Sequence, residues 1–372
     1  MKKKLYVTFM ISLFLSCAAG CGRNTMASDN ADNTVQADTV QPEAAQGGNM
    51  PQNLITPDTE ITELEEGLSM VRYEGSYGFD EFLEQGGASS DGEVVEFLRS
   101  RITSNIPRLI FGGNPFGCST LSVDSAEGGR LFGRNFDWNT CNALIISSRP
   151  EEGYASVSTV NMDFVQAGGL DISKLPDSIQ ATIGLYAPLD GMNEKGLAVS
   201  VNMIEDSATI EQDTEKPDIT TTTAIRLLLD KAADVEEAIR LLEQYDLHAS
   251  MGMMVHLAIS DAEGNSVVVE YVDHEMTVTE TPIVTNFYLA EGEKNGIGTA
   301  QSHTRYDILK ETLEKQDTMT EWDVRDALDS VSKDNFDEFE STEWSIVMNQ
   351  ETKQLTYYHR ENYGQGYAIA VE

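Results

Sequence analysis

Apolar side chains return at helical spacing in two neighbouring stretches of the chain, 221–232 and 234–245. The apolar face of these stretches is formed by Ile225, Leu228, Leu229, Ala238, Leu241 and Leu242. A period of three to four residues indicates amphipathic helices that cover a core. We predict three further helices over 89–102, 303–315 and 321–331.

Around these helices the pattern changes to short β-rich segments that are separated by turn residues. These segments are 118–123, 129–138, 143–148, 154–160 and 196–204, a hairpin over 255–272, and three strands within 343–371. Strand blocks that enclose two helix pairs do not alternate as βαβα, which argues against a doubly wound parallel sheet. We therefore predict an α+β fold with two antiparallel sheets and helices on their outer faces.

The first 21 residues have the features of an export signal. Lys2, Lys3 and Lys4 precede an apolar run that ends in small residues, and such a run is too short for a membrane-spanning helix. The stretch "CAAGCGR" resembles a bacterial lipoprotein cleavage box, with Cys21 as the acylated residue. Secretion without a lipid is the alternative, because Ala18 stands where leucine is the stronger choice.

Two regions separate this signal from the main domain. Residues 22–60 are polar and lack aromatic side chains, which is typical of a disordered tether. Residues 61–117 contain two stretches with helical features, 78–87 and 89–102, the first of which ends in a double glycine. We predict that 61–117 is a helical pro-segment or small subunit, and that 118–372 is the catalytic domain.

Acidic residues dominate the composition. Asp and Glu outnumber Lys and Arg by 62 to 25 among 372 residues, and the formal net charge is −37. Binding to phosphate groups or to anionic membrane surfaces requires clustered cations, so we expect neither nucleic acid nor an anionic membrane surface as a partner. The acidity instead indicates a solvated exterior.

Only two of the four cysteines, Cys118 and Cys141, fall in the predicted folded part. Two cysteines do not make a disulfide scaffold in an exported domain of this size. A bridge between them is the structural alternative to a reactive thiol at Cys118. The five histidines lie in no recognisable catalytic or zinc-binding motif, and we expect most of them to be surface or packing residues.

Cys118 can be activated without histidine if the Gly117–Cys118 bond is cut. The new α-amino group has a reference pKa of about 7.7–8.0 and can take the thiol proton. A guanidinium would favour the thiolate, and a carboxylate would orient the amine. Arg134 and Asp137, in "GRNFDW", offer both. Three positions apart in a strand, they face opposite sides unless the chain bends or bulges there.

Several motifs from Cys118 to the C-terminus resemble those of the linear amide C–N hydrolases, which include choloylglycine hydrolases and penicillin V acylases. These motifs are "CSTLSV…GRLFGRNFDW", "LDGMNEKGLAVSVN", "IVTNF" and "HTRYDIL". The resemblance implies an N-terminal-nucleophile hydrolase with a four-layer αββα sandwich. It also implies that Cys118 is the nucleophile, Arg134 the thiolate-supporting arginine and Asp137 the amine-orienting aspartate.

The other motifs imply three further active-site residues. Asn286 in "IVTNF" and Arg305 in "HTRYDIL" match an asparagine and a second arginine of the family. The oxyanion-hole position falls on Met203 by spacing and on Asn202 by residue type. A one-residue slip in a strand turns a side chain to the other face, and we choose Asn202.

The predicted function is that of an exported amidase, anchored to the envelope by lipid or else secreted, that cuts its own Gly117–Cys118 bond. We expect an N-acyl amide as its small-molecule substrate, no metal or cofactor, and membrane contact only through a lipid at Cys21. An acyltransferase on the same scaffold and a non-catalytic ligand-binding lipoprotein are the alternatives. Assembly into a homo-oligomer stays open.

Overall fold

Two β-sheets face each other, and helices cover the outer face of each. The computed structural model describes residues 54–102, 109–111, 117–167, 172–333 and 341–372. The predicted four-layer αββα sandwich is confirmed within these ranges. The predicted signal at 1–21 and the tether up to residue 53 lie outside the described residues.

The first sheet has nine strands and is antiparallel except where β2 runs parallel to β6. Numbered in chain order and given in sheet order, its strands are β1 (Thr62–Glu65), β2 (Leu68–Glu74), β6 (Ala143–Arg149), β7 (Ser156–Asn161), β9 (Asp190–Asn193), β10 (Ala198–Met203), β13 (Val255–Ser260), β14 (Ser266–Val272) and β15 (Glu275–Glu280). The predicted hairpin over 255–272 is present as β13 and β14.

The second sheet has seven strands and carries the Cys118 hairpin. Its main path is β16 (Ile283–Val284), β4 (Gly117–Ser125), β5 (Arg130–Trp138), β18 (Ser341–Asn349), β19 (Gln354–His359) and β20 (Tyr367–Ala370). A short strand, β17 (Thr318–Met319), runs parallel to β4. The three C-terminal strands follow the prediction.

Two small sheets lie outside these layers. One pairs β11 (Asp218–Thr220) with β12 (Asp246–His248), and the other pairs β3 (Leu109–Phe111) with β8 (Val165–Ala167).

Seven α-helices are present in the described part of the chain. They are α1 (Phe79–Glu84), α2 (Asp91–Arg101), α3 (Asp177–Leu185), α4 (Thr221–Lys231), α5 (Val235–Leu242), α6 (Ala300–Lys315) and α7 (Glu321–Asp329). Helices α3, α4 and α5 pack on the nine-stranded sheet, and α6 and α7 pack on the seven-stranded sheet. Across the residues described, none of these helices has the length and apolar character needed to cross a membrane.

Side-chain caps explain where several helices begin. The Ser90 side chain accepts a hydrogen bond from the backbone N–H of Glu93 at the start of α2. At the start of α4, Thr220 and Thr223 satisfy each other's backbone N–H groups in a capping box. These bonds replace the partners that the first turn of a helix lacks.

The segment before Cys118 contributes strands as well as the two predicted helices. Strand β2 pairs along its length with β6, which belongs to the predicted catalytic domain. The periodicity did not indicate these strands, because "TELE" and "LSMVRYE" are short and only partly alternating. Residues 54–60, predicted as tether, also make contacts: the Ile55 N–H donates to the carbonyl of Ala368 at 2.8 Å.

A glycine on β5 lets helix α7 approach the seven-stranded sheet closely. A Cβ atom at Gly133 would lie 2.8 Å from Val324 and 2.9 Å from Leu121. Such distances are shorter than the van der Waals contacts of packed side chains. An apolar layer fills the space between the sheet and α7. The Cys118 hairpin lies between this layer and the nine-stranded sheet.

Candidate active site

The thiol of Cys118 lies between the two sheets. Cys118 is fully buried on β4, and its Sγ is 3.5 Å from the carbonyl oxygen of Val201 on β10. Strand β9 pairs with β10 only as far as Ser200. The carbonyl of Val201, just beyond that pairing, is therefore available to accept a hydrogen bond from the thiol.

Arg134 approaches the same carbonyl from β5. Its Nη2 is 3.4 Å from the Val201 oxygen, and its Nε forms a fully buried ion pair with Asp190 on β9. The indole N–H of Trp344 donates to the same Asp190 carboxylate at 3.0 Å. Asp190 thus fixes the direction in which the guanidinium points, a role that the sequence analysis did not assign.

The environment of Cys118 favours the protonated thiol. Burial raises the pKa of Cys118, and the nearby positive charge of Arg134 acts against that rise without cancelling it. Burial penalises the charged thiolate, whereas a cation stabilises it. Arg134 is thus a group that opposes the effect of burial on the pKa of Cys118.

Asp137 points to the opposite face of β5, toward the helices. One oxygen accepts from Nη1 of Arg305 on α6 at 2.7 Å, and the other accepts from the Thr342 hydroxyl at 2.7 Å. The ammonium of Lys333 lies 3.7 Å from the same carboxylate. The odd spacing of Arg134 and Asp137 therefore has its ordinary consequence in a strand, and the two side chains serve different sides of the hairpin.

Asn286 connects the Asp137 side of the hairpin to the backbone of Cys118. Its Oδ1 accepts from the Cys118 N–H at 2.8 Å and from Nη2 of Arg305 at 2.6 Å. Its Nδ2 donates to the carbonyl of Met203 at 2.6 Å, which fixes the orientation of the amide. The backbone nitrogen of Cys118 therefore faces a fixed acceptor.

Asn202 lies on the sheet-facing side of β10, although it has no direct hydrogen bond to Cys118 among the described contacts. Its Nδ2 donates to the carbonyl of Val284 at 3.3 Å, and its Oδ1 accepts from the Ser200 hydroxyl at 2.9 Å. Met203, the alternative by spacing, is an apolar core residue on the other face. Of the two, only Asn202 turns a polar side chain toward the seven-stranded sheet.

The structure therefore brings Cys118, Arg134, Asp137, Asn286 and Arg305 into one buried cluster. The sequence analysis missed three polar partners of this cluster: Asp190, Lys333 and Thr342. Asp190 had a detectable signal, since it is a carboxylate inside the buried "LDGMN" stretch, and buried carboxylates are almost always paired. Cys118 and Cys141 are free thiols, so the disulfide alternative is wrong.

Across the described ranges, no group of three or more His, Cys, Asp or Glu side chains is arranged to hold a metal ion.

Comparison with solved structures supports the fold. A mutant of the conjugated bile acid hydrolase from Clostridium perfringens superposes with a TM-score of 0.52 at 20% identity, over 68% of this chain and 92% of that chain. A second variant of the same enzyme gives a TM-score of 0.51 at 18% identity, with the same coverage of both chains. At these identities the likeness concerns the fold.

Comparison of sequences points to the same group of proteins. A penicillin V acylase of Pectobacterium atrosepticum is 29% identical over 105 residues, which span 26% of this chain and 28% of that relative. The model of the linear amide C–N hydrolases, choloylglycine hydrolase family, matches residues 118–287, a stretch that begins at the buried cysteine. Residues 118–287 are thus similar to the linear amide C–N hydrolases of the choloylglycine hydrolase family.

Proposed function

We propose that this protein is an amidase that hydrolyses linear amide bonds of N-acyl compounds, with Cys118 as an N-terminal nucleophile. One observation carries the proposal: the backbone nitrogen and the thiol of Cys118 each lie beside polar groups of neighbouring strands and loops. The nitrogen faces Asn286 at 2.8 Å, and the thiol lies beside the Val201 carbonyl and Arg134. Nucleophile and base of such an enzyme belong to the same residue, so both must be held.

Self-cleavage at Gly117–Cys118 produces this nucleophile. The Cys118 sulfur attacks the Gly117 carbonyl carbon, a C–S bond forms, the C–N bond breaks, and the thiol proton passes to the departing nitrogen. Water then hydrolyses the thioester, which leaves a carboxylate on Gly117 and restores the thiol. The buried thiol and the scissile carbonyl are neighbours in the same strand, so the reaction is intramolecular.

Amide hydrolysis then follows the same chemistry on a substrate. The α-amine of Cys118 accepts the thiol proton, the thiolate attacks the amide carbon, and the amine product leaves with that proton. Water, deprotonated by the α-amine, cleaves the acyl-enzyme and releases the carboxylic acid. Arg134 stabilises the thiolate, Asn286 orients the amine, and Asn202 is the proposed side-chain donor to the oxyanion.

An intact-mass measurement combined with a panel of N-acyl amides tests the proposal. We expect the purified protein to contain a fragment that begins at Cys118 and to release free amine from at least one substrate. Cys118→Ala should stay uncut and inactive. A chain that hydrolyses amides while intact would contradict the self-cleavage, and a cleaved chain that only binds the panel would contradict the amidase.

We further propose that residues 54–102 remain bound after cleavage as a structural subunit. Their strand β2 pairs with β6, and their apolar side chains are part of the main core. The Tyr77 hydroxyl also donates to the buried carboxylate of Asp230 on α4. A segment with these contacts cannot leave without exposing one edge of the nine-stranded sheet.

The proposed site of action is the cell envelope. The signal-like residues 1–21 support export, and Cys21 is the proposed point of lipid attachment. Because cleavage would separate Cys21 from Cys118, the catalytic fragment would stay anchored only through its packing against residues 54–102.

A further inference from the structure

A histidine and a glutamate outside the cluster around Cys118 form a fully buried pair. His256 lies on β13 and Glu270 on β14, and both are completely shielded from solvent. The pairing of Leu257 with Val269 brings the preceding His256 next to Glu270, and the His256 Nδ1 is 2.9 Å from the Glu270 Oε1. Taking a carboxylate out of water is costly unless it is paired, and the proposed reaction leaves this pair without a role.

Both ring nitrogens of His256 face atoms that accept hydrogen bonds. Nε2 lies 2.8 Å from the carbonyl oxygen of Thr285, which can only accept. Burial acts to raise the pKa of Glu270, yet the bonds from His256 and from two backbone N–H groups lower it overall. Nδ1 therefore faces a carboxylate, and a ring that bonds to both of these acceptors must donate from each nitrogen. His256 is a buried histidine with a hydrogen-bond partner at each ring nitrogen.

The backbone groups that His256 and Glu270 bind lie before and after Asn286 in the chain. His256 binds the carbonyl of Thr285, immediately before Asn286. Glu270 accepts from the N–H of Leu289 at 3.0 Å and from the N–H of Ala290 at 2.5 Å, just after it. Residues 285–290 have no regular secondary structure beyond a single bridge at Phe287, so these backbone groups depend on side chains for partners.

We propose that His256 and Glu270 are positioning residues that hold Asn286 against the nitrogen of Cys118. The proposal rests on the proposed function, in which that nitrogen becomes the base. The pair fixes the backbone before and after Asn286, and Asn286 in turn accepts from the Cys118 N–H at 2.8 Å. A shift of this acceptor by a fraction of an ångström misdirects the amine without altering how the substrate binds.

Steady-state kinetics of the processed enzyme provide the first test. We expect His256→Gln and Glu270→Gln to lower kcat by about 10- to 100-fold, the cost of misplacing a catalytic group, with KM changed less than about threefold. His256→Leu, which retains neither bond, should lose more than His256→Gln. His359→Gln is the matched control: His359, at the end of β19, is also a buried histidine beside a carboxylate, with its Nδ1 3.5 Å from the Glu65 Oε1. It should keep the wild-type kcat.

Nitrogen NMR of histidine-labelled wild-type protein provides a test that needs no variant to fold. We expect one histidine, assigned to His256 by its loss in His256→Gln or by contacts to Thr285, to carry protons on both ring nitrogens at pH 7. An unprotonated Nδ1 or Nε2 would overturn the proposal, as would an unchanged kcat in folded, processed His256→Gln. If the wild type is inactive but shows the doubly protonated ring, the proposed function is contradicted. The hydrogen bonds of His256 and Glu270 to the backbone around Asn286 are then still supported.

Discussion

Arg134 and Asp137 lie on opposite faces of strand β5, and each serves a different atom of Cys118. Arg134 faces the nine-stranded sheet, where it pairs with Asp190 and approaches the carbonyl that accepts from the thiol. Asp137 faces the helices, where it holds Arg305 and, through it, Asn286 at the Cys118 nitrogen. Loss of Arg134 should therefore change the reactivity of the Cys118 thiol, whereas loss of Asp137 should change the position of the Cys118 nitrogen.

Removal of Arg134 should shift the reactivity of the thiol to higher pH. The guanidinium lowers the pKa of Cys118 against the effect of burial, so Arg134→Ala should raise the apparent pKa of alkylation. Arg134→Lys should rescue only in part, because an ammonium lacks the planar fork that binds Asp190. The measurement is the rate of Cys118 alkylation as a function of pH.

Arg130 on the same strand provides the control for that experiment. It forms a surface ion pair with Asp124 at 2.6 Å, and exposed pairs of this kind contribute about 0–1 kcal/mol. Arg130→Ala should leave the alkylation curve of Cys118 unchanged. An equal shift in both variants would show that the effect is general, and no shift in Arg134→Ala would remove Arg134 from the mechanism.

Gly117 should be required for rapid self-cleavage. A Cβ atom there would lie 2.7 Å from the Lys333 ammonium and 2.8 Å from an oxygen of Asp137. Lys333 has a flexible end, but Asp137 is held by Arg305 and Thr342. We expect Gly117→Ala to slow the appearance of the Cys118 fragment by at least about tenfold, an effect of about 1.4 kcal/mol on the barrier.

A glycine with room for a Cβ atom supplies the comparison for Gly117. At Gly92, near the start of α2, the nearest atom to an added Cβ is the Ser90 hydroxyl oxygen at 3.7 Å, an ordinary contact. Gly92→Ala should be processed at the wild-type rate. The cleavage rates are measured by mass spectrometry over time. Equal rates for Gly117→Ala and the wild type would show that the Asp137 side chain can move away from the added Cβ without slowing cleavage.

The N-terminal segment should co-purify with the catalytic fragment. Phe79, Phe82, Val94 and Leu98 are buried in the main core, and each large apolar side chain contributes about 1.5–3 kcal/mol. A tag on the fragment that begins at Cys118 should therefore retain a peptide containing 54–102 under native conditions. Phe82→Ala should weaken retention, since truncating a buried phenylalanine costs about 3–5 kcal/mol. Activity without any retained peptide would make the segment a discarded propeptide.

The sequence allowed the individual elements to be predicted better than their long-range partners. Helices α4 and α5 and the β13–β14 hairpin follow from local periodicity and turn residues, and all three are present. The parallel pairing of β2 with β6 joins residues about 75 positions apart, and no local pattern encodes it. The same holds for the Arg134–Asp190 pair, because its two charges meet only when the sheets stack.

Stability should fall between pH 6.5 and pH 4 in part because of His359. Burial, with the charge of Arg360, lowers the pKa of His359 to about 4, whereas an unfolded histidine has a pKa of about 6.5. Between these pH values His359 binds a proton in the unfolded chain but not in the folded one. Its contribution to the free energy of unfolding is therefore complete above pH 6.5 and is lost as the pH falls toward 4. We expect about 1–3 kcal/mol of this loss to be absent in His359→Gln. Denaturant midpoints at pH 7.5 and pH 4.5 measure it, and parallel losses in both proteins would contradict it.

Asn202 and Met203 can be separated by the kind of defect that each substitution causes. The Asn202 amide faces the seven-stranded sheet, whereas Met203 packs in the core on the other face of β10. If Asn202 donates to the oxyanion, Asn202→Ala should lower kcat by about 10²–10³ with little change in KM.

Met203→Leu conserves volume and should cost less than about 1.5 kcal/mol of stability, with kcat unchanged. Ser200→Ala removes the hydroxyl that orients the Asn202 amide at 2.9 Å and should give an intermediate loss of kcat. If Asn202→Ala keeps the wild-type kcat in folded, processed enzyme, the oxyanion donors must be backbone N–H groups near Cys118. In that case neither the Asn202 nor the Met203 side chain would be the oxyanion donor, and the choice between the two positions would not affect catalysis.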